Sequence, residues 1–289
     1  MSKARQTVFN AQLNRDPTRT KTLRRRYAER LRGWFGRLNA VIRAAVKTRD
    51  VFSINEEDPT PPGVFGFPRN DQKVEAFMRW LREQERRGVL RIVTRNGNTF
   101  IQSSYGRGLE HARRNLKNAG IEVPDENVDI AFNLPVHQET LQSLYTRNFN
   151  ELQGITEAMN QRISRELADG FEAGENPTRI ARRITDVVDD VGKRRATTLA
   201  RTEVIRAHSD ATLNRYERFG VDEVTVKAEW STAGDARVCP ICQALEGRTF
   251  TIEQARSETF TFNDQDFPVR PPAHPNCRCA FLPVVQEAS

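Results

Sequence analysis

The chain has 289 residues, 37% hydrophobic and 29% charged, with a mean hydropathy of -0.66. That length supports one or two domains with a real core, and no apolar run approaches the roughly 18 residues that span a bilayer. Collagen-like, membrane-spanning and fully disordered chains are excluded, no membrane partner is expected, and the polar N-terminus lacks the apolar segment of a secretory signal. The net charge of +7 is a local feature. Residues 1–50 hold 14 Lys/Arg against 3 Asp/Glu, and the remainder hold 31 against 35. A basic block at one end suits a polyanion or an acidic partner face.

Residues 1–19 are polar and aperiodic, which reads as a flexible arm. From about Arg19 to Thr48, Leu23, Tyr27, Leu31, Trp34, Phe35, Leu38, Val41, Ile42, Ala45 and Val46 recur in steps of three and four. That spacing predicts one amphipathic helix. Its other faces carry Arg24, Arg25, Arg26, Arg30, Arg32, Arg37 and Arg43, the candidates for contact with nucleic acid or with an acidic protein surface. Trp34 and Phe35 lie on the apolar stripe and read as core rather than as base-stacking platforms. Four prolines and two glycines in residues 55–72 predict a linker or an ordered excursion.

Val74, Phe77, Trp80 and Leu81 then mark a shorter helix ending near Gly88. Leu90 to Ile101 reads as two short strands around an Asn-Gly turn. Tyr105 to Ala119 reads as a helix, and residues 121–137 as a second break. Three helices follow: one from about Gln138 to Asp169, one opened by Asn176 as N-cap with Pro177 behind it, and one from about Lys193 to Phe219 closing on Gly220. Short connections between them predict an antiparallel bundle. Alternation from Val221 to Trp230 predicts a strand, and short strands and turns complete the chain.

The fold class is thus mainly α (α+β): long amphipathic helices and a bundle, followed by a small strand-rich tail in which the clustered Cys239, Cys242, Cys277 and Cys279 predict a zinc-stapled region. The expected segments are a basic arm and helix over 1–54, linker, short helices and hairpin over 55–137, a three-helix bundle over 138–220, and an α+β zinc-binding region over 221–289.

All four cysteines (Cys239, Cys242, Cys277, Cys279) lie in the last fifth of the chain. A secreted disulfide framework would spread its bridges, whereas this clustering fits a reducing compartment and one small metal site. A C-x2-C turn aims two thiolates at one point, and zinc takes four S or N ligands. Cys277-Arg278-Cys279, with His274 just before, offers three more donors for two places. Four cysteines form one option, favoured because it leaves no free thiol. Cys239, Cys242 and His274 with Cys277 or Cys279 form the other. A structural Zn2+ closed by four protein ligands is the expectation, and no acid/base pair stands out beside it for a catalytic role.

Several motifs in this half resemble the phage head-morphogenesis (Mu F-like) minor head protein family. They are Ala200-Arg201-Thr202-Glu203-Val204-Ile205-Arg206-Ala207-His208, Trp230 to Asp235, Val238 to Cys242, Leu245-Glu246-Gly247 and His274 to Cys279. They follow the family's order across about residues 138–285. The resemblance implies a virion component, in the head interior or at the portal vertex, assembled in the host cytoplasm. It implies binding to the phage portal protein, contacts with major capsid or scaffolding protein, and a part in packaging or delivery of double-stranded DNA. It implies no enzymatic activity, and with Ser289 soon after the cysteines no added catalytic module is expected.

On the Ala200–His208 helix, Arg201, Glu203, Arg206 and Asp210 resemble a catalytic cluster but read better as structural ion pairs. Glu203 meets Arg206 at i, i+3, and Arg206 meets Asp210 at i, i+4. His208 is expected to be a hydrogen-bonded structural histidine. The rival classes are a zinc-containing nuclease and a free-standing, non-specific DNA-binding module. The separation of His111, His137, His208 and His274 along the chain argues against the first.

Overall fold

A computed structural model describes residues 16–53, 65–124, 131–219 and 224–287. The arm up to residue 15, the Pro-rich stretch 54–64, residues 125–130 of the second break, and Gly220 lie outside the described residues.

The amphipathic stripe forms helix α1 (Lys21–Arg43), extended by a π-helical turn over Ala44–Thr48. Tyr27, Leu31, Phe35 and Ile42 are fully buried, while Val41 is 42% exposed and leaves the stripe. The expected arm ends earlier than residue 19. The Asp16 carbonyl accepts from the Arg19 amide at 3.0 Å, and Thr18 and Thr20 are buried. Helix α2 covers Asn70–Arg87, and a single turn, α3, covers Val89–Ile92.

The hairpin expected over Leu90–Ile101 does not form. One bridge flanks the Arg95-Asn96 turn, and α4 (Thr99–Asn118) begins at once. Asn98 supplies the reason: its side-chain oxygen accepts from the Phe100 amide at 3.0 Å and so starts a helix instead of a second strand. Helix α5 runs from Pro135 to Glu172 and α6 from Pro177 to Val187, with Asn176 accepting from the Arg179 amide at 3.0 Å. No loop separates α6 from α7 (Arg194–Phe219). A π-helical turn over Val188–Lys193 joins them, because Val188 and Val191 remain buried and the backbone stays helical through Gly192.

The chain groups into two compact units, one made of Met1–Arg26, Asn96–Tyr145 and Ala200–Ser289, the other of Tyr27–Arg95 and Thr146–Leu199. The second unit is a helical core. Phe52, Phe65, Phe77, Trp80 and Phe171 pack as a chain of rings with centroids 5.0–6.2 Å apart. Two polar pairs are buried within it, Tyr27 donating to Asn148 at 2.7 Å and Asn160 donating to Glu85 at 2.8 Å.

The first unit is built on α4 and α7. Every side chain of α7 from Glu203 to Tyr216 is buried except Arg206, so this helix is enclosed on nearly all sides. Its approach to α4 requires a residue without a side chain. A Cβ on Gly108 would lie 2.4 Å from the His208 carbonyl oxygen. Ser104 on α4 donates to the Val204 carbonyl at 2.6 Å.

Onto this pair packs the tail: β1 (Val224–Ser231), α8 (Pro240–Leu245), β2 (Thr249–Phe250), α9 (Ile252–Ser257), β3 (Thr259–Phe262), β4 (Gln265–Pro268) and β5 (Ala280–Glu287). One antiparallel sheet has the order β2-β1-β5, and β3 and β4 form a separate hairpin. Val226, Ala228 and Trp230 alternate onto one face of β1, sharing a core with Ala112 and Leu116 of α4 and Leu213 and Tyr216 of α7. Trp230 stands opposite Phe281 across the β1–β5 ladder, with its ring edge-on at 6.0 Å.

Candidate metal centre

The tail leaves β1 through a tight turn and enters α8 at Cys239. This residue is the N-cap, with Pro240 filling the first helical position, where a missing amide costs nothing. The Cys239 sulfur accepts from the Cys242 amide at 3.4 Å, so the C-x2-C spacing places both thiols on the first turn of one helix. The second half comes from the segment before β5. The Cys277 amide donates to the His274 carbonyl at 3.2 Å, which closes a turn over His274–Cys277.

These two turns meet. His274 Nε2 lies 2.9 Å from Cys239 Sγ and 3.1 Å from Cys242 Sγ, and Cys242 Sγ lies 3.8 Å from Cys277 Sγ. The donor atoms form two triplets that share Cys242, one with Cys239 and His274, the other with Cys277 and Cys279, each with its atoms within 4.8 Å of one another. Cys242, Cys277 and Cys279 are buried, Cys239 and His274 half-buried, and all four cysteines are free of disulfides. Hydrogen bonding from Cys242 and then Cys279 pulls the Cys277 thiol well below its ordinary range, while the Cys242 thiol is pushed up by Cys277.

The donor set fits a borderline-soft ion that prefers sulfur and nitrogen ligands in a closed site. His274 is oriented for that task, since its Nδ1–H donates to the Pro275 carbonyl at 2.9 Å and leaves the Nε2 lone pair facing the sulfurs.

The surrounding residues hold the two halves in register. Arg278, between Cys277 and Cys279, forks onto Asp235 at 2.7 and 2.5 Å, and the Arg237 amide reaches the same carboxylate at 3.0 Å. The Arg278 guanidinium holds the Asp235 carboxyl well below the usual carboxylate range. From α7, Thr202 Oγ1 accepts from the Asn276 amide at 3.2 Å, and Asp210 accepts from Arg270 at 2.9 Å. Arg256 of α9 reaches Asn214 and Glu217, each at 2.7 Å. The motif helix therefore serves as the post on which the tail is mounted.

Of the expected ion pairs, Glu203 and Arg206 meet at 3.4 Å, while Asp210 takes Arg270 of the tail as a partner. Arg201 is exposed and makes no ion pair among the described residues, so its place in the expected network is corrected. His208 is buried, but its Nε2 finds no hydrogen-bond partner among the described residues. It packs 5.0 Å from the His111 ring, a juxtaposition of α4 and α7 that sequence spacing gave no means to find. Burial drives both histidines down, His111 to about 4, with Arg114 adding to the effect.

Along α1, Arg25, Arg26, Arg30, Arg32, Arg37 and Arg43 are exposed. Arg24 is the exception. It is buried at 7% and pairs with Asp16, because the turn before α1 folds back over it. Arg26, Arg30, Arg32, Arg37 and Arg43 have no carboxylate partner among the described residues, so their charge is directed to solvent.

Residues 161–282 match the family model described as Phage Mu protein F like protein. The matched Mu F-like segment contains the end of α5, all of α6 and α7, both halves of the cysteine–histidine cluster and the start of β5. No curated protein and no solved structure matches the chain. No described helix is long and apolar enough to cross a membrane. Thr202, Asp235 and Arg278 lie within the sequence motifs, where spacing alone assigns them no role. Their function is to join the two cysteine-bearing turns to each other and to α7, and the signal available was an acid and a base beside each half of the cluster.

Proposed function

We propose that the chain is a structural phage minor head protein, resident in the virion, that docks at the portal vertex during head assembly in the host cytoplasm. The observation that carries this reading is the Mu F-like match across the segment holding both α7 and the cysteine–histidine cluster. In this reading the ion is Zn2+, and Cys239, Cys242, His274, Cys277 and Cys279 supply its four ligands. Zinc–ligand bonds then tie the first turn of α8 to the turn before β5. The chemistry required of this chain is architectural: two turns held together and a tail fixed to an enclosed helix.

The exposed arginines of α1 supply the contact with packaged double-stranded DNA or with an acidic face of the portal. The guanidiniums of Arg26, Arg30, Arg32, Arg37 and Arg43, which have no carboxylate partner among the described residues, suit phosphate contacts that carry no sequence preference and weaken with salt. Major capsid or scaffolding protein completes the set of expected neighbours. Co-expression with the portal protein of the same phage should give a complex that survives native purification. A folded chain that never associates with it counts against the docking. For the DNA contact, reversing Arg26, Arg30 and Arg37 to Glu should abolish a salt-sensitive mobility shift of random duplex. Reproducible DNA cleavage, lost on mutating the cysteines, would instead favour the nuclease.

A further inference from the structure

Five side chains surround the centre, and a closed tetrahedral site takes four. We propose that the ligands are Cys239, Cys242, His274 and Cys277, and that Cys279 is a core thiol. This assignment rests on the zinc reading above and is independent of the portal contact.

Two matching turns carry the argument. Cys239 and Cys242 stand at i and i+3 on the first turn of α8. His274 and Cys277 stand at i and i+3 of a β-turn with Pro275 second and Asn276 third. Asn276 has a φ of 64°, the left-handed value a type II turn needs at that position, with Pro favoured just before it. Each turn brings its two end residues together, and Thr202 of α7 holds the second turn by its Asn276 amide.

The contacts between the turns point the same way. His274 Nε2 faces the sulfurs of both Cys239 and Cys242, with its tautomer fixed by Pro275. An all-thiolate site would leave that oriented imidazole without a purpose. The 3.8 Å between Cys242 and Cys277 sulfurs equals the roughly 3.8 Å edge of a tetrahedron with sulfurs about 2.3 Å from its centre. Cys279 lies beyond the turn, immediately before β5, 3% exposed in the core that contains Trp230 and Phe281. Its sulfur lies within 4.8 Å of those of Cys242 and Cys277, and it stands outside both turns. Charge favours the same choice. Three thiolates and an imidazole leave a Zn2+ site with one net negative charge against two for four thiolates, and a buried charge needs compensation. Arg278 is the cation at hand, and it is already committed to Asp235.

Zinc-edge X-ray absorption on the full-length protein as purified with its zinc tests the assignment without a variant. Three sulfurs and one nitrogen around the ion are expected, and four sulfurs would overturn it. In a companion series, Cys279→Ser should keep one zinc per chain. Cys277→Ser and His274→Ala should each weaken zinc at least about tenfold in competition with a chelator. Zinc lost in Cys279→Ser but kept in His274→Ala reverses the assignment. A full-length protein that binds no zinc at all sinks the zinc reading and the ligand set together, and leaves the portal contact to its own test.

Discussion

The tail and the helical unit of Tyr27–Arg95 and Thr146–Leu199 close their cores by different means. In the helical unit, long apolar stripes meet, and Tyr27, Leu31, Phe35, Phe77, Leu81, Ile163 and Ile184 are all fully buried. Dispersion and the hydrophobic effect suffice there, at about 1.5–3 kcal/mol for each large apolar side chain. The tail has strands of two and four residues between its longer ones, and its loops carry polar staples: Asp235–Arg278, Asp210–Arg270 and the Thr251–Gln254 capping box. Three of its thiols, Cys242, Cys277 and Cys279, lie in the apolar core it shares with α4 and α7. The tail thus adds a few directional contacts to its apolar packing, and those contacts depend on solution conditions in a way that apolar packing does not.

That difference can be broken most directly by removing metal. A strong chelator should loosen the tail, seen as lost near-ultraviolet signal from Trp230, while most far-ultraviolet helical signal persists. Apparent zinc affinities at structural sites of about 10–16 kcal/mol make this the largest expected effect. Next come matched core truncations. Phe77→Ala and Trp230→Ala should each cost about 3–5 kcal/mol in denaturant unfolding, and only Trp230→Ala should also reduce zinc affinity.

A smaller effect is expected from acid. His111 is held neutral to about pH 4 by burial, with Arg114 and Arg19 reinforcing and a backbone hydrogen bond to Phe281 and then Asp16 opposing. The unfolded chain binds that proton from about pH 6.5, so stability should fall as pH drops from 6.5 to 4, by up to about 3 kcal/mol. Denaturant midpoints should show a shallower slope in His111→Gln over that window. The smallest effect belongs to the helical unit, where Asn176→Ala should cost about 1 kcal/mol by removing the α6 cap, with zinc content unchanged.

Periodicity made the long helices legible, because a stripe at steps of three and four is a local property of the chain. The Asn176-Pro177 start and the Val226–Trp230 alternation were legible for the same reason. The Leu90–Ile101 hairpin failed because Asn98, just past the Asn96-Gly97 turn, caps α4 instead of opening a second strand. The junction between the second and third helices failed similarly: the sequence reading starts a separate helix at about Lys193, but buried Val188 and Val191 keep the chain helical through Gly192. At the candidate centre, the cysteine spacing announced four donors and left the fifth ambiguous.

The sequence by itself determined the basic helix, the helical middle and the presence of a cysteine–histidine centre, since each is written in spacing along a few neighbouring residues. Only the tertiary structure decided that Arg24 is buried beneath its own turn and that Asp210 serves the tail. It also decided that His111 meets His208, and that His274 faces the sulfurs. These are contacts between residues distant in sequence. Which of them form depends on how closely α4 and α7 approach at Gly108 and on where the β1–β5 ladder places its ends.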